Sequence, residues 1–227
     1  MAKNGAGQAW DRIPEIRDAL AAGGPVEPKR RRDPLDELVL TILSQNTTDV
    51  NCLRGWEGLR ARFPDWESLL AAPERELEEA IRPAGLAAQK SRSIRAALVR
   101  LGGERGSPGL DHLDGMEDEE ALDYLAGFHG VGVKTAACVL CFALGRDVMP
   151  VDTHVHRVAR RLGLVPGTAT AARTHAVLNA VVPPELRHDL HLLFVRHGRE
   201  TCRARSPRCD ACALRGTCPR AGVAGGT

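Results

Sequence analysis

Four cysteines fall in the last quarter of the sequence with the spacing C-x6-C-x2-C-x5-C: Cys202, Cys209, Cys212 and Cys218. The tract also holds Pro207, Gly216 and Pro219 and few apolar residues, so it cannot build a core of its own. A metal bound by four thiolates would organise it, because the ligands converge only when the loop is folded and binding energy becomes folding energy. Tetrahedral zinc and an iron–sulfur cluster both accept four cysteines, and the spacing does not choose between them. The seven cysteines include an odd one, and four crowd one tract, which suits a metal site in a reducing compartment better than a disulfide framework. Cys138 and Cys141 also form C-x2-C. Three apart on an apolar helix, with no second pair nearby, they read as buried packing, and Cys52 likewise.

Helical spacing dominates the rest of the 227 residues, a length that suffices for one large domain or two small packed ones. Asp33 is placed as an N-cap with Pro34 at the first helical position, and Leu35, Leu38, Val39, Ile42 and Leu43 share one face. Further helices are expected at about 50–62, 73–82, 89–101, 118–126, 133–145, 153–163, 170–182 and 185–199, with proline or glycine in most gaps. No segment alternates like a strand and no period repeats, so the expected fold is all-α. Residues 1–9 and 221–227 have the composition of disordered ends, and the Lys29–Arg32 run that of a solvated linker. The longest apolar stretch, roughly 135–144, is too short to span a bilayer, and no signal peptide opens the sequence. A cytoplasmic protein is expected.

Net charge is only +2 and argues for no class of partner. Its distribution is uneven: seven arginines against Glu200 and Asp210 lie between Arg196 and Arg220, a local +5. Phe128-His-Gly-Val-Gly-Val-Lys134-Thr-Ala joins two helical segments with Gly130 and Gly132 at the turn, where glycine permits positive φ and close backbone approach. Amides there would hold one DNA phosphate without reading sequence, although a plain helix–helix turn would carry the same glycines. Lys134 is informative because the chain has 27 arginines and only four lysines. Where charge alone would serve, this composition supplies a guanidinium, so an amine here points to a nucleophile, which must lose its proton to attack. Downstream, Val151-Asp152-Thr153-His154 opens a helix. Asp152 reads as its N-cap, and a cap facing a cleft can also stabilise positive charge or deprotonate a lysine. His154 and His156 diverge on that helix and read as structural or phosphate-facing, not as metal ligands.

Together these pieces resemble the endonuclease III family of helix-hairpin-helix DNA glycosylases. The matching elements, in the family's order, are L-S-Q-N-T-T-D at Leu43–Asp49, G-L-A-A-Q-K-S at Gly85–Ser91, G-V-G-V-K-T at Gly130–Thr135, V-D-T-H at Val151–His154, H-G-R-x-x-C at His197–Cys202 and the cysteine spacing. The resemblance implies a two-lobed fold, with residues 27–147 forming a six-helix domain around the hairpin. Residues 1–26 would pack on a second domain formed by 148–227, with a disordered tail from about 221. It implies one 4Fe-4S cluster on Cys202, Cys209, Cys212 and Cys218, and a bifunctional glycosylase and lyase in which Lys134 attacks the sugar and Asp152 supplies the carboxylate. The partner would be double-stranded DNA carrying a damaged base, chiefly an oxidised pyrimidine, or an abasic site, met by a monomer on the nucleoid. Gly130, Val131, Gly132, Thr135 and His154 would meet DNA. Asn46 and Leu86 would fill the gap left by a flipped nucleotide, with Gln45 the alternative because glutamine is usual where Asn46 stands. His129 replaces a common proline. A monofunctional mismatch or uracil-type glycosylase, and a non-catalytic zinc-containing DNA-binding module, are the competing readings.

Overall fold

The structure, a computed structural model, describes residues 9–223. The expected disorder of 1–8 and 224–227 lies outside the described residues. At the described margins Ala9 is buried and the Ala221 amide donates to Arg161 O, 3.3 Å away. Along the chain come α1 (Ile13–Ala21), α2 (Pro34–Ser44), α3 (Asp49–Arg62), α4 (Trp66–Ala71), α5 (Glu74–Ile81), α6 (Ala87–Arg105), α7 (Asp118–Ala126), α8 (Val133–Cys138), α9 (Thr153–Arg161), α10 (Ala171–Val181) and α11 (Arg187–Glu200). No strand occurs among the described residues, so the fold is all-α. None of these helices is long and apolar enough to cross a membrane.

The described chain divides into two compact units, one of residues 30–146 and one in which residues up to 29 join those from 147 onward. The division falls inside the basic run. Lys29 pairs with Asp147 in one unit, while Arg31 pairs with Asp114 and Arg32 with Glu37 in the other. The run is exposed and without regular structure, as expected of a solvated linker, and three of its four cations are paired.

In the 30–146 unit α2 packs against α3, α6 and α8, burying Leu38, Val39, Ile42 and Leu43. Its start follows from local chemistry: the Asp33 carboxylate accepts from the Asp36 amide at 2.8 Å, and Pro34 loses no hydrogen bond at a position that has none to make. Thr48 caps α3 in the same way. No helix is expected between 62 and 73, but Asp65 caps Ser68 N at 2.7 Å and α4 forms to bury Leu69 completely. Six residues are too few to show a period, which is why the pattern missed it. The expected 133–145 helix begins as α8 and widens into a π-turn over Val139–Ala143, which keeps Cys138 and Cys141 buried.

The other unit is centred on α11, which packs on α9 and α1. Ile13, Ile16, Val155, Val158, Leu178, Leu193 and Phe194 form its core, and Leu214 joins them from the cysteine tract. Arg196 is committed here: its guanidinium donates to Leu20 O, Gly24 O and Pro25 O and holds the C-terminal end of α1.

Candidate functional site

Each unit contributes candidate residues. In the 30–146 unit Glu37, Thr41 and Gln45 lie four apart and so share one side of α2 and its C-cap. Thr41 Oγ1 donates to Glu37 Oε1 at 3.3 Å, both side chains being buried. Burial pushes the Glu37 carboxyl up, against the pull of Arg32, the Thr41 hydroxyl and Lys134. At the far end Gln45 Nε2 donates to Gly130 O at 3.2 Å and to Thr135 Oγ1 at 3.4 Å. The stripe therefore ends on the hairpin, on either side of Lys134, which is half-buried in the first turn of α8.

The two hairpin glycines have different reasons to be glycine. Gly130 has φ +77°, and a Cβ on it would lie 2.3 Å from Ser93 Oγ. Gly132 has an ordinary φ of −102° and nothing within 4 Å of a Cβ, so of the two expected uses of glycine, positive φ and close approach, it serves the second alone. Its lack of a side chain leaves open space in front of the backbone. Val131 buries its side chain and donates its amide to Phe128 O, and Thr135 is likewise buried. Gly130→Ala is expected to destabilise the protein by about 2–4 kcal/mol through backbone strain plus overlap, whereas Gly132→Ala should change stability by less than about 0.5 kcal/mol. Denaturant unfolding of the two variants separates these roles.

Asn46 and Leu86 both have left-handed backbones, φ 52° and 48°, without being glycine. Such a conformation costs about 1–3 kcal/mol, most of all for a bulky residue, and persists only where surrounding contacts impose it. Leu86 is 53% exposed, so it is not core packing. Asn46 is exposed while the Gln45 amide is engaged with the hairpin, which favours Asn46 over Gln45 as the residue free to project.

In the second unit Asp152 caps α9, Oδ1 accepting from Val155 N at 2.7 Å. Asn179, for which the sequence suggests no role, and His191 hold the stretch of backbone before it. Asn179 makes paired bonds to Met149, accepting from its amide at 2.8 Å and donating to its carbonyl at 3.0 Å. The buried His191 donates from Nδ1 to Pro150 O at 2.8 Å. Local spacing gives no hint of these contacts, since the partners lie 30 and 41 residues away. His154 packs on Gly198, where a Cβ would come within 2.8 Å of His154 Cβ, and its Nδ1 is 3.0 Å from Arg157 Nη2.

Arg157 and Arg161, on one face of α9, are directed at the cysteine loop. Arg157 Nε donates to Cys202 O at 2.9 Å; Arg161 donates to Arg203 O at 2.6 Å, Ala204 O at 3.1 Å and Cys202 Sγ at 3.4 Å. Part of the basic character thus braces backbone, and Arg203, Arg205, Arg208 and Arg215 remain as the loop's exposed cations. All four cysteines line a single cavity with Val158, Leu162, His197 and Leu214. Burial raises the Cys212 and Cys218 thiols, the amides of Leu214 and Arg220 draw them down, and the neighbouring cysteines raise them again. Those amides lie 3.3 and 3.4 Å from the two sulfurs. Among the described residues no three Cys, His, Asp or Glu side chains converge as ligands of one ion. Four thiols lining one cavity, with guanidinium or amide N–H groups at the Cys202, Cys212 and Cys218 sulfurs, are a donor set that a tetrahedral ion or an iron–sulfur cluster would accept.

Comparison with known proteins agrees with this geometry. Residues 39–184 match the family described as "HhH-GPD superfamily base excision DNA repair protein". An Arabidopsis thaliana protein named "Putative DNA glycosylase At3g47830" is 46% identical over 165 residues, 73% of this chain but only 56% of that protein. Endonuclease III of a Synechocystis species is 32% identical over 190 residues, covering 83% of this chain and 82% of the relative. The solved "Structure of a non-covalent Endonuclease III-DNA Complex" superposes with a TM-score of 0.79 at 28% identity, over 93% of this chain and 95% of that one. With a glycine hairpin leading into Lys134 and the family match spanning well over half its length, this chain belongs to the HhH-GPD superfamily of base excision DNA repair proteins.

Proposed function

We propose that this chain is a DNA glycosylase and abasic-site lyase that removes damaged pyrimidines, chiefly oxidised ones, from duplex DNA. The observation that carries the reading is Lys134 itself, an amine in an arginine-rich protein, set in the first turn after a hairpin that Gln45 holds in place. The relatives named endonuclease III, and the solved complexes of endonuclease III with DNA, support it.

The neutral Lys134 Nζ attacks C1′ of an extruded nucleotide. The N–C1′ bond forms as the glycosidic bond breaks, and the electron pair leaves with the base, which takes up a proton. Ring opening gives a Schiff base; loss of the C2′ proton then expels the 3′ oxygen with its phosphate, and water releases the lysine. Asp152 supplies the carboxylate that steadies positive charge on the sugar and accepts the lysine's proton. Gly132 leaves the backbone open to a phosphate and Gly130 supplies the left-handed turn that aims the hairpin amides at it, Val131 and Thr135 anchor the hairpin, and His154 lies at the start of α9 for a further phosphate contact. Asn46 and Leu86 fill the space the nucleotide vacates. Cys202, Cys209, Cys212 and Cys218 hold one 4Fe-4S cluster, whose chemistry here is to fold a loop whose exposed arginines meet the DNA backbone. One chain suffices for these steps, and the setting is the nucleoid in the cytoplasm.

The test is a duplex carrying a single thymine glycol, run on a denaturing gel with and without alkali. Strand cleavage without alkali is the expected result. Cleavage only after alkali would mean a monofunctional glycosylase, and no cleavage either way a binding module.

A further inference from the structure

A second lysine is almost completely buried and has no place in the chemistry above. Lys90, in the first turn of α6, is 2% exposed, and its ammonium donates to Leu43 O at 2.7 Å and to Ala84 O at 2.8 Å. Leu43 lies three residues before Asn46, at the end of α2; Ala84 lies two residues before Leu86, in the turn leading into α6. The backbone amide of Lys90 donates in addition to Leu86 O at 3.0 Å. One residue thus touches the roots of both exposed left-handed tips. Its burial draws the ammonium down, opposed by Cys52.

We propose that Lys90 is a positioning residue, a brace that sets Asn46 and Leu86 in register so that both enter the duplex together. This rests on the base-extruding function proposed above. The physical case has three parts. A left-handed leucine or asparagine is held only if neighbouring contacts over-determine it, and the two loops have no regular ladder to do so. The last carbonyls of a helix such as α2 lack intrahelical donors, and a buried carbonyl without a partner is costly; Lys90 satisfies one such carbonyl and one of the other loop at once. A tetrahedral ammonium can send separate N–H bonds to two carbonyls of different loops, whereas arginine's flat fork is larger and directs its donors in one plane. That accounts for a lysine here in a chain that otherwise favours arginine.

A brace for inserting side chains matters only where a partner strand must be opened. The test compares borohydride trapping by the full-length protein on an abasic site in duplex DNA with trapping on the same oligonucleotide single-stranded. Lys90→Met, whose side chain has similar length and no donor, is expected to slow trapping on the duplex about 10- to 100-fold and on the single strand less than about threefold. In a background already carrying Asn46→Ala and Leu86→Ala, Lys90→Met should cost the duplex reaction no more than about threefold further, because interacting positions are not additive. Equal losses on both substrates, an undiminished duplex rate, or full additivity would overturn the brace. If Lys90→Met does not melt cooperatively, Lys90→Gln, which can still reach one carbonyl, carries the same comparison with the same criteria. Absence of trapping by the unaltered protein on either substrate would instead strike the proposed function, and the brace would fall with it.

Discussion

Lys134→Ala is expected to form no borohydride-stable adduct with abasic DNA, and its rate of alkali-independent strand cleavage should fall at least about a thousandfold, the scale on which removal of a covalent nucleophile acts. Reduction fixes the carbon–nitrogen bond of a Schiff base, so the assay reports the amine directly. Lys134→Arg sharpens it. A guanidinium retains the positive charge and would still attract a phosphate, but it stays protonated and cannot attack carbon. If Lys134 served only electrostatically, the arginine variant would keep much of the activity; both variants are expected to be equally dead. Because Lys134 is half-buried and the hairpin is held by Gly130, Val131 and Gln45, neither substitution should shift the melting temperature by more than about 2 °C. Trapping by Lys134→Ala at the wild-type rate would remove the assignment.

The second large effect concerns the cysteine loop. Between Cys202 and Val223 only Leu214 is buried, so this stretch has almost no apolar surface with which to hold itself. Cys212→Ser or Cys218→Ser is expected to abolish bound iron and acid-labile sulfide and to lower the melting temperature by about 10 °C or more, because the free energy of metal binding is the folding free energy of the loop. The exposed Arg203, Arg205, Arg208 and Arg215 then become the first sites of tryptic cleavage. The control is the other C-x2-C pair: Cys138→Ala with Cys141→Ala removes two buried thiols from α8 and its π-turn and should leave iron content unchanged. A colourless wild-type protein with stoichiometric zinc, or a Cys212→Ser protein with full iron, would contradict the cluster.

Much of this protein is written in local pattern. Asp33-Pro34 and Asp152 mark helix starts because a side-chain oxygen three residues ahead of a free amide makes the same bond wherever it occurs, and both do so. The all-α class follows from apolar spacing, and the cysteine tract announces a shared site because a loop so poor in apolar residues needs one. Lys134 stands out by composition alone.

Tertiary structure decided the matters that turn on distant partners. Gln45 and Asn46 are neighbours of similar chemistry, and only the carbonyl of Gly130, 85 residues away, separates the one that clamps the hairpin from the one that is exposed. Leu86 has the composition of core and the environment of a tip. Arg157 and Arg161 carry the charge of a DNA contact, yet their donors reach the carbonyls of a loop more than 40 residues on. Lys90 stands in the G-L-A-A-Q-K-S element, but nothing local tells what it does; its two carbonyl partners are 47 and 6 residues distant. A cap or a helical face is set by groups within one turn, which the order of residues specifies directly. The partner of a long polar side chain is set by which loops the packed helices bring alongside it, and that is settled only once the core has formed.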